Sequence, residues 1–256
     1  MGAASPNILE LAGVHTHIGA YHILHGVDFA VPEGEVTMLL GRNGAGKSTT
    51  LRTIMGLWPA SAGELRFTRE GPGGRHTEKL DGLSTPDIAA RGIAYVPESM
   101  GIFTDLTVQE NMVLAARSAR HAGELDTQRL EWLFELLPAL KKFWLYPAGK
   151  LSGGQKQMLA VARAIVEPRA LILIDEPSKG LAPSIIQNLV TAFRELKRQR
   201  TTILLVEQNF QMARALGDTV AVMDNGRIVH RGAMAALADD EALQQRLLGL
   251  SLGVHA

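Results

Sequence analysis

A glycine-rich turn that ends in lysine and serine constrains this chain more than any other feature. The apolar run Val36–Leu40 leads into the turn GRNGAG at residues 41–46, and a helical pattern starts at Lys47. This is the spacing G-x-x-x-x-G-K-[ST] in a strand–loop–helix context. The N–H groups of such a turn wrap an anion without Cβ obstruction, and the following helix points its positive end at that anion. The sequence therefore predicts a phosphate-binding loop.

Two side chains at the end of the turn have separate predicted tasks. Lys47 adds a positive point charge, and the hydroxyl of Ser48 is placed to bind a magnesium ion that bridges phosphates. An ordinary glycine-rich turn is the alternative, but the bare pattern arises by chance in roughly one chain in a hundred of this length. We therefore predict a nucleotide site. Its loop residues are Gly41, Arg42, Asn43, Gly44, Ala45, Gly46, Lys47, Ser48 and Thr49.

Composition excludes several other classes of protein. Lys+Arg and Asp+Glu both number 26, so the net charge is zero, which argues against nucleic acid as the main partner. The chain has no cysteine, so it has neither disulfides nor thiolate metal sites. No apolar run approaches the ~18 residues of a membrane span, and residues 1–6 lack the features of a secretory signal. We expect a cytoplasmic location.

The apolar pattern predicts an α/β core with an antiparallel β patch before it and a helical insertion in the middle. Strands are predicted at residues 8–14, 23–31, 64–69, 75–80, 93–96, 171–174, 202–206, 220–223 and 228–230. Helices are predicted at residues 47–55, 108–140 with breaks near Gly123 and Pro138, 185–196 and 234–248. The fully apolar runs at 171–174 and 202–206 favour a parallel sheet covered on both faces.

Two adjacent carboxylates follow the apolar strand at residues 171–174. Ligands of open α/β sheets bind at the carboxyl ends of the strands, where Asp175 and Glu176 are expected to lie. Asp175 is predicted to hold magnesium directly or through water, and Glu176 to orient and deprotonate an attacking water. Alone, the pair would be better explained as two surface acids at a strand end. The upstream phosphate loop favours the functional interpretation.

The segment LSGGQ, residues 151–155, precedes a second helix pattern. Ser152 and Gln155 have the spacing of a capping box, which by itself indicates only a well-capped helix start. The two glycines between them, Gly153 and Gly154, leave this positive helix end open to a second anion. One chain therefore contains two ends that attract phosphate.

These three segments, GRNGAGKST, LSGGQ and LILIDEP, together resemble the motif set of ABC-transporter ATPases, and the resemblance covers nearly the whole chain. It implies a P-loop NTPase (RecA-like) α/β core with an antiparallel β subdomain and a helical signature-motif subdomain. It also implies ATP and Mg²⁺ as cofactors and a head-to-tail dimer. Each ATP would then lie between one subunit's phosphate loop and the other's residues 152–155.

The resemblance also gives subdomain boundaries within a single ABC ATPase domain, residues 1–256. The expected parts are an antiparallel β subdomain (1–34 and 62–82), a RecA-like core (35–61, 83–97 and 158–233), a helical subdomain (98–157) and a C-terminal helix (234–256).

Three segments are more specifically similar to one of the two ATPases of branched-chain amino-acid importers: YVPE at 95–98, SKGLAP at 178–183 and VEQN at 206–209. They depart from the general family pattern. Glu98 stands where most members have a magnesium-binding glutamine, so it offers an oxygen ligand but adds negative charge. Ala182 replaces an aspartate that acts across the dimer.

Gln208 replaces a histidine that contacts the γ-phosphate, and its amide donates hydrogen bonds but cannot become cationic. The resemblance therefore implies Glu176 and Gln208 as catalytic residues and Ser48, Asp175 and Glu98 as magnesium ligands. Ile18 falls where an aromatic residue usually stacks on adenine, and Tyr21 and His17 are the candidates to replace it.

Two weaker signals have competing interpretations. Four histidines, at positions 15, 17, 22 and 25, could form a metal cluster, but they straddle two predicted strands without a carboxylate pattern, so we expect none. The apolar loop at residues 100–103 is either a packed turn or, as the resemblance favours, the place where a helix of a membrane subunit docks.

We expect an ATPase subunit of an importer for branched-chain or other amino acids, peripheral to the cytoplasmic face of a bacterial inner membrane. Its expected partners are two transmembrane permease subunits, a second ABC ATPase and, indirectly, a periplasmic solute-binding protein. The departures at Glu98, Ala182 and Gln208 favour a heterodimer, with a homodimer as the alternative.

Four alternatives remain open from the sequence. Two are close: an importer of urea or short amides, and a lipopolysaccharide exporter. A third is a soluble ABC ATPase acting on DNA or ribosomes, although such proteins usually carry two cassettes or a long coiled-coil insertion. The fourth is a nucleotide-binding module that has lost catalysis.

Overall fold

The computed structural model describes residues 5–71, 73–117 and 121–249. The expected subdomain termini at residues 1–4 and 250–256 lie outside the described residues. The strands are β1 (Asn7–Ile18), β2 (Tyr21–Pro32), β3 (Val36–Leu40), β4 (Ala60–Gly71), β5 (Gly74–Lys79), β6 (Ile93–Val96), β7 (Leu171–Asp175), β8 (Ile203–Val206), β9 (Thr219–Asp224) and β10 (Arg227–Ala233). The helices are α1 (Lys47–Ile54), α2 (Thr85–Ala90), α3 (Val108–Ala115), α4 (Thr127–Leu136), α5 (Pro138–Lys142), α6 (Gly153–Ile165), α7 (Pro183–Arg198), α8 (Phe210–Leu216), α9 (Met234–Asp239) and α10 (Glu241–Leu248).

The strands form two sheets with different pairing. The smaller sheet has the order β2-β1-β4-β5, and its strands are antiparallel. The larger sheet has the order β10-β9-β3-β8-β7-β6, in which only the β9–β10 hairpin is antiparallel. The parallel pairing brings the carboxyl ends of β3, β7 and β8 to one edge, which is where open α/β sheets bind ligands.

The larger sheet divides the core into two apolar layers. Every residue of β3, β7 and β8 is buried. Because successive side chains of a strand point to opposite faces, Ile172 and Ile174 pack in the layer that contains α6 and α7, and Leu173 packs in the layer that contains α1 and the smaller sheet. The predicted parallel sheet with two covered faces is confirmed.

The first two strands are longer than the apolar pattern predicted. β1 continues to Ile18 and β2 begins at Tyr21, because the antiparallel register continues through the cross-strand pairs His15–His25 and His17–His22. Backbone pairing, which the apolar pattern does not report, therefore extends the hairpin into polar residues.

The single helix predicted at residues 234–248 is wrong, because the chain leaves helical geometry at Asp240. This residue has φ −112° and ψ 90°, and its carboxylate accepts a hydrogen bond of 2.8 Å from the Leu243 N–H. Asp240 therefore caps α10, which is the preferred position of aspartate at a helix. The break expected near Pro138 is confirmed, since Pro138 is the first residue of α5.

No helix among the described ranges is long and apolar enough to cross a lipid bilayer.

We predict that Leu173→Ala lowers the free energy of unfolding by about 2–5 kcal/mol, because it leaves a cavity in a close-packed layer. Leu173 is fully buried, whereas Leu145 is 72% exposed. Equilibrium urea denaturation should therefore show a change within about 0.5 kcal/mol for the control Leu145→Ala. Equal losses in the free energy of unfolding for Leu173→Ala and Leu145→Ala would contradict a buried position for β7.

Candidate functional site

The predicted phosphate loop connects β3 to α1, and glycine geometry determines its shape. Gly41, Gly44 and Gly46 have φ angles of 149°, 80° and 106°, which residues with a side chain rarely adopt. A Cβ atom on Gly41 would also lie 2.2 Å from the carbonyl oxygen of Met223 at the end of β9. Glycine is therefore required at position 41 both by backbone conformation and by the close approach of β9.

Lys47 is held tightly inside this loop. Its side chain is 4% exposed, and its ammonium group donates hydrogen bonds to the carbonyl oxygens of Gly41 at 3.0 Å and Arg42 at 3.1 Å. The same nitrogen lies 3.5 Å from Oε1 of Glu176. The loop therefore surrounds a buried positive charge that is paired with the carboxylate at the end of β7.

Of the three predicted magnesium ligands, Ser48 and Glu98 line one cleft, and Asp175 is buried in contact with Ser48. The Ser48 hydroxyl donates to Oδ1 of Asp175 at 2.9 Å, and the Tyr95 hydroxyl lies 3.4 Å from the other carboxylate oxygen. Burial raises the pKa of Asp175, while the hydrogen bond from Ser48 opposes that rise. Burial also raises the pKa of Tyr95 to about 12. Glu98 lines the cleft beside Ser48. Hydroxyl and carboxylate oxygens are the ligands that Mg²⁺ prefers, so these residues fit it.

The two predicted catalytic residues are joined by a hydrogen bond. The Gln208 amide donates to Oε1 of Glu176 at 2.6 Å and to Oδ1 of Asn43 at 2.7 Å. Glu176 is 8% exposed and has a left-handed backbone with φ 46°. Such a conformation is strained for a residue with a side chain and is concentrated at functional sites. The amide of Gln208 therefore fixes the carboxylate of Glu176 beside the phosphate loop.

Glu207 is a structural part of the site that the sequence reasoning missed. It is 1% exposed, and its carboxylate accepts hydrogen bonds from the backbone and hydroxyl of Ser178, at 3.0 and 2.8 Å, and from the N–H groups of Gln208 and Asn209, both at 3.1 Å. Burial raises its pKa, and these bonds act in the opposite direction. Glu207 therefore ties the loop after β8 to the loop after β7. An acid directly after a buried strand was the available signal.

Lys179 was also missed as a site residue. Its ammonium lies 2.6 Å from Oε1 of Glu98 and 3.6 Å from Oε2 of Glu176. The hydrogen bond with Glu98, followed by the charges of Glu98 and Glu176, raises the pKa of Lys179. It therefore pairs with two of the predicted functional carboxylates. Nothing in the sequence pattern indicated that this lysine contacts both carboxylates.

The predicted second anion site is at the start of α6. Ser152 accepts a hydrogen bond of 3.3 Å from the Gln155 N–H, and the Gln155 side chain accepts one of 2.9 Å from the Ser152 N–H. This is the predicted capping box. The first N–H groups of a helix, here those of Gly153 and Gly154, have no intrahelical acceptor. They remain available to an anion at the helix end.

The two glycines of this segment are explained by different structural constraints. A Cβ on Gly154 would lie 2.6 Å from Cγ2 of Ile185 in α7, whereas a Cβ on Gly153 would meet Leu181 at an ordinary 3.9 Å. Gly154 is buried and Gly153 is exposed. Close packing of α6 against α7 therefore requires Gly154, and Gly153 is the glycine that leaves the helix end open.

The cleft above the phosphate loop has a volume of about 350 Å³. Its lining consists of Ile23, Asn43, Gly44, Gly46, Lys47, Ser48, Thr49, Glu98, Glu176 and Lys179. Within the part of the chain that the structure describes, residues 152–155 do not line it. One chain thus presents the two phosphate-attracting ends at separate places.

The histidines of the β1–β2 hairpin form a stack of rings. The rings of His17 and His22 lie 4.1 Å apart and nearly parallel, and Nδ1 of His15 lies 3.0 Å from Nε2 of His22. Burial, followed by the charges of His22 and Arg227, lowers the pKa of His25. No group of three or more acidic or histidine side chains in the described ranges is arranged to hold a metal ion.

The residue that stacks on adenine stays a prediction. Ile18 ends β1 at the expected position. Of the two candidates to replace it, His17 is engaged in the ring stack, and Tyr21 is 76% exposed.

Comparison with known proteins identifies the class. The family model described as "ABC transporter" matches residues 24–179. The high-affinity branched-chain amino acid transport ATP-binding protein BraG of Pseudomonas aeruginosa is 40% identical over 94% of this chain and 100% of its own length. The probable branched-chain amino acid transport ATP-binding protein LivF of Archaeoglobus fulgidus is 33% identical over 90% of this chain and 93% of its own.

Solved structures give the same class. An ATP-binding cassette of an ABC transporter in its ADP conformation has a TM-score of 0.76 at 25% identity, with 96% of this chain and 100% of that chain covered. An ATP-binding subunit of an ABC transporter has a TM-score of 0.74 at 30% identity, with 94% and 96% covered. The chain belongs to the ABC-transporter family of ATP-binding proteins, and the predicted fold class is confirmed.

We predict that Gly154→Ala lowers the stability of the nucleotide-free protein by about 1–3 kcal/mol, because the new methyl group forces Ile185 away from α6. Thermal and urea unfolding measure the effect. Gly153→Ala is the matched control and should change the stability by less than about 0.5 kcal/mol. If both alanine variants unfold like the original chain, the close contact of α6 with α7 is not a constraint on this segment.

Proposed function

We propose that this chain is the ATP-hydrolysing subunit of an importer for branched-chain amino acids, and that ATP closes it against a second ATPase subunit. The names of the two similar transport proteins favour this cargo over urea, short amides or lipopolysaccharide. We place it at the cytoplasmic face of a bacterial inner membrane, with two permease subunits and, indirectly, a periplasmic solute-binding protein. A heterodimer fits the departures at Glu98, Ala182 and Gln208.

One observation carries the proposal of hydrolysis. The phosphate loop, Glu176 and Gln208 meet at one edge of the parallel sheet, with the Gln208 amide bonded to both Glu176 and Asn43. The loop N–H groups and Lys47 bind the phosphates. Glu176 accepts the proton of the attacking water, and Gln208 orients that carboxylate. A magnesium ion held by Ser48, Asp175 and Glu98 supplies charge neutralisation to the phosphates when bound.

Dimer closure is supported by the separation of the two anion-attracting ends. Residues 152–155 form a capped helix start, with Ser152 and Gly153 exposed, and none of them lines the cleft of the same chain as far as the structure describes it. In the proposed dimer, each such end completes the other subunit's nucleotide pocket. A shift from mostly open to mostly closed requires ~5.5 kcal/mol of differential binding. Contacts that exist only in the closed dimer, between helix end and γ-phosphate, are the proposed source.

We predict that Glu176→Gln retains ATP binding but lowers turnover roughly 10²–10⁴-fold, because a general base is lost. Steady-state ATPase assays of the chain with its membrane partners measure turnover, and light scattering with saturating Mg-ATP measures dimer formation. Glu131→Gln, at an exposed position of α4, is the control and should leave both unchanged. Near-normal turnover of Glu176→Gln would remove Glu176 from its role. A Glu176→Gln variant that stays monomeric with saturating Mg-ATP, even when the permeases and the second ATPase subunit are added, would contradict closure.

A second groove supports the proposed permease contact. It has a volume of about 620 Å³ and lies between α2, the loop after β6 and α6. Apolar Met55, Leu57 and Met100 line it together with arginines 52, 117, 163 and 169. Part of the loop predicted to receive a membrane subunit, residues 100–103, therefore borders the groove. An amphipathic permease helix with acidic residues would match both the apolar and the basic lining.

We predict that Leu57→Glu weakens association with the permease subunits at least about tenfold, since it replaces an apolar contact by a negative charge that repels the acidic residues proposed on the permease helix. Leu57 is 49% exposed and lies outside the nucleotide cleft. Co-purification with the permeases measures association, and the Mg-ATP affinity of the isolated chain should stay unchanged. Leu145→Glu, at an exposed position outside the groove, is the control. Normal assembly of Leu57→Glu would exclude this groove as the docking site.

A further inference from the structure

Lys179 is a charged residue that the proposed catalytic roles do not use, and it lies between two carboxylates that they do use. Its ammonium is 2.6 Å from Glu98 and 3.6 Å from Glu176. Both carboxylates line the nucleotide cleft, as does Lys179 itself. An ammonium group has three donors and one compact positive charge. It can therefore partly neutralise two acids that face the position proposed for the phosphates.

The backbone places Lys179 in this position. The Lys179 N–H donates to the carbonyl oxygen of Glu176 at 3.2 Å, which closes a tight turn after β7. The preceding residue, Ser178, is anchored by two hydrogen bonds to the buried carboxylate of Glu207. The turn therefore fixes the position of the Lys179 backbone, and the side chain, which is 55% exposed, extends from it to Glu98.

Glu98 has two cationic partners to serve, Lys179 and the proposed magnesium ion. Its Oε1 is paired with Lys179, which leaves Oε2 for magnesium but places a second positive charge on the same carboxylate. We propose that Lys179 is a positioning residue that neutralises Glu98 before magnesium binds and competes with magnesium for this carboxylate. This inference rests on the proposed nucleotide site. The pair Glu98–Lys179 then has the net charge of a neutral residue, so the carboxylate does not repel an approaching triphosphate.

The test measures nucleotide binding rather than turnover. A fluorescent ATP analogue is titrated against the purified full chain in EDTA, and then magnesium is titrated at fixed nucleotide. Lys179→Met removes the charge, Lys179→Arg keeps it, and Lys179→Gln is a second neutral variant in case the first fails to fold. Each is also made in a Glu98→Gln background, in which the proposed competition cannot occur.

For Lys179→Met we expect a fall of about two- to fivefold in the magnesium concentration that gives half of the maximal change in binding of the fluorescent ATP analogue. This size is typical of an exposed ion pair. Nucleotide affinity in EDTA should fall by a similar factor, and Lys179→Arg should restore both values. In the Glu98→Gln background the shift in magnesium dependence should disappear. An unchanged or increased magnesium requirement, or an equal shift in both backgrounds, would overturn the proposal.

The same titration separates this inference from the proposed function. If the unsubstituted chain binds nucleotide with a magnesium dependence that no Lys179 variant alters, only the role of Lys179 fails. If the unsubstituted chain binds no nucleotide at all, the proposed function fails with it.

Discussion

The hydrogen bond between Ser48 and Asp175 is the contact on which the site depends. It joins the first turn of α1 to the end of β7, although β8 lies between β3 and β7 in the sheet. Val206 of β8 pairs with Leu39 on one side and with Asp175 on the other. Because a slip of one residue would turn each side chain to the opposite face, this register determines whether the carboxylate reaches the phosphate loop.

Around this contact, each acidic group of the site has a specific partner. Glu176 pairs with Lys47 and Gln208, Glu98 with Lys179, and Glu207 with the N–H groups of two loops. Buried carboxylates without such partners would carry a large desolvation cost. The network therefore concentrates negative side chains beside a phosphate site and still keeps the fold stable. It also connects the two loops that follow β7 and β8, which contain Glu176 and Gln208.

The start of α6 shows how packing and binding share one short motif. Gly154 is required because Ile185 of α7 occupies the space of a side chain, whereas Gly153 remains at the exposed helix end. The helix is thus anchored to the core on one side and open on the other. Among the described residues the segment does not line the cleft of its own chain, so in the proposed dimer it is available to the nucleotide of a second subunit.

The sequence by itself determined the local elements: the phosphate loop, the capping box at Ser152 and the strand that delivers Asp175 and Glu176. These follow from spacing and periodicity, which act over a few residues. Resemblance to a family, rather than periodicity, gave the functions expected of Glu98 and Gln208. Local pattern failed at residues 234–248, where the capping aspartate Asp240 interrupts an otherwise helical stretch.

Only the tertiary structure decided which side chains meet. The pairing of Lys179 with Glu98, across 81 positions of sequence, and the anchoring of Ser178 by Glu207 depend on strand order and register. The different structural roles of Gly153 and Gly154 also depend on the tertiary structure, because Ile185, which excludes a side chain at position 154, belongs to another helix. Hydrophobic periodicity specifies which face of an element is buried, but it does not specify which distant side chain shares that space. That is why the loop was evident from the sequence and the charge network around it was not.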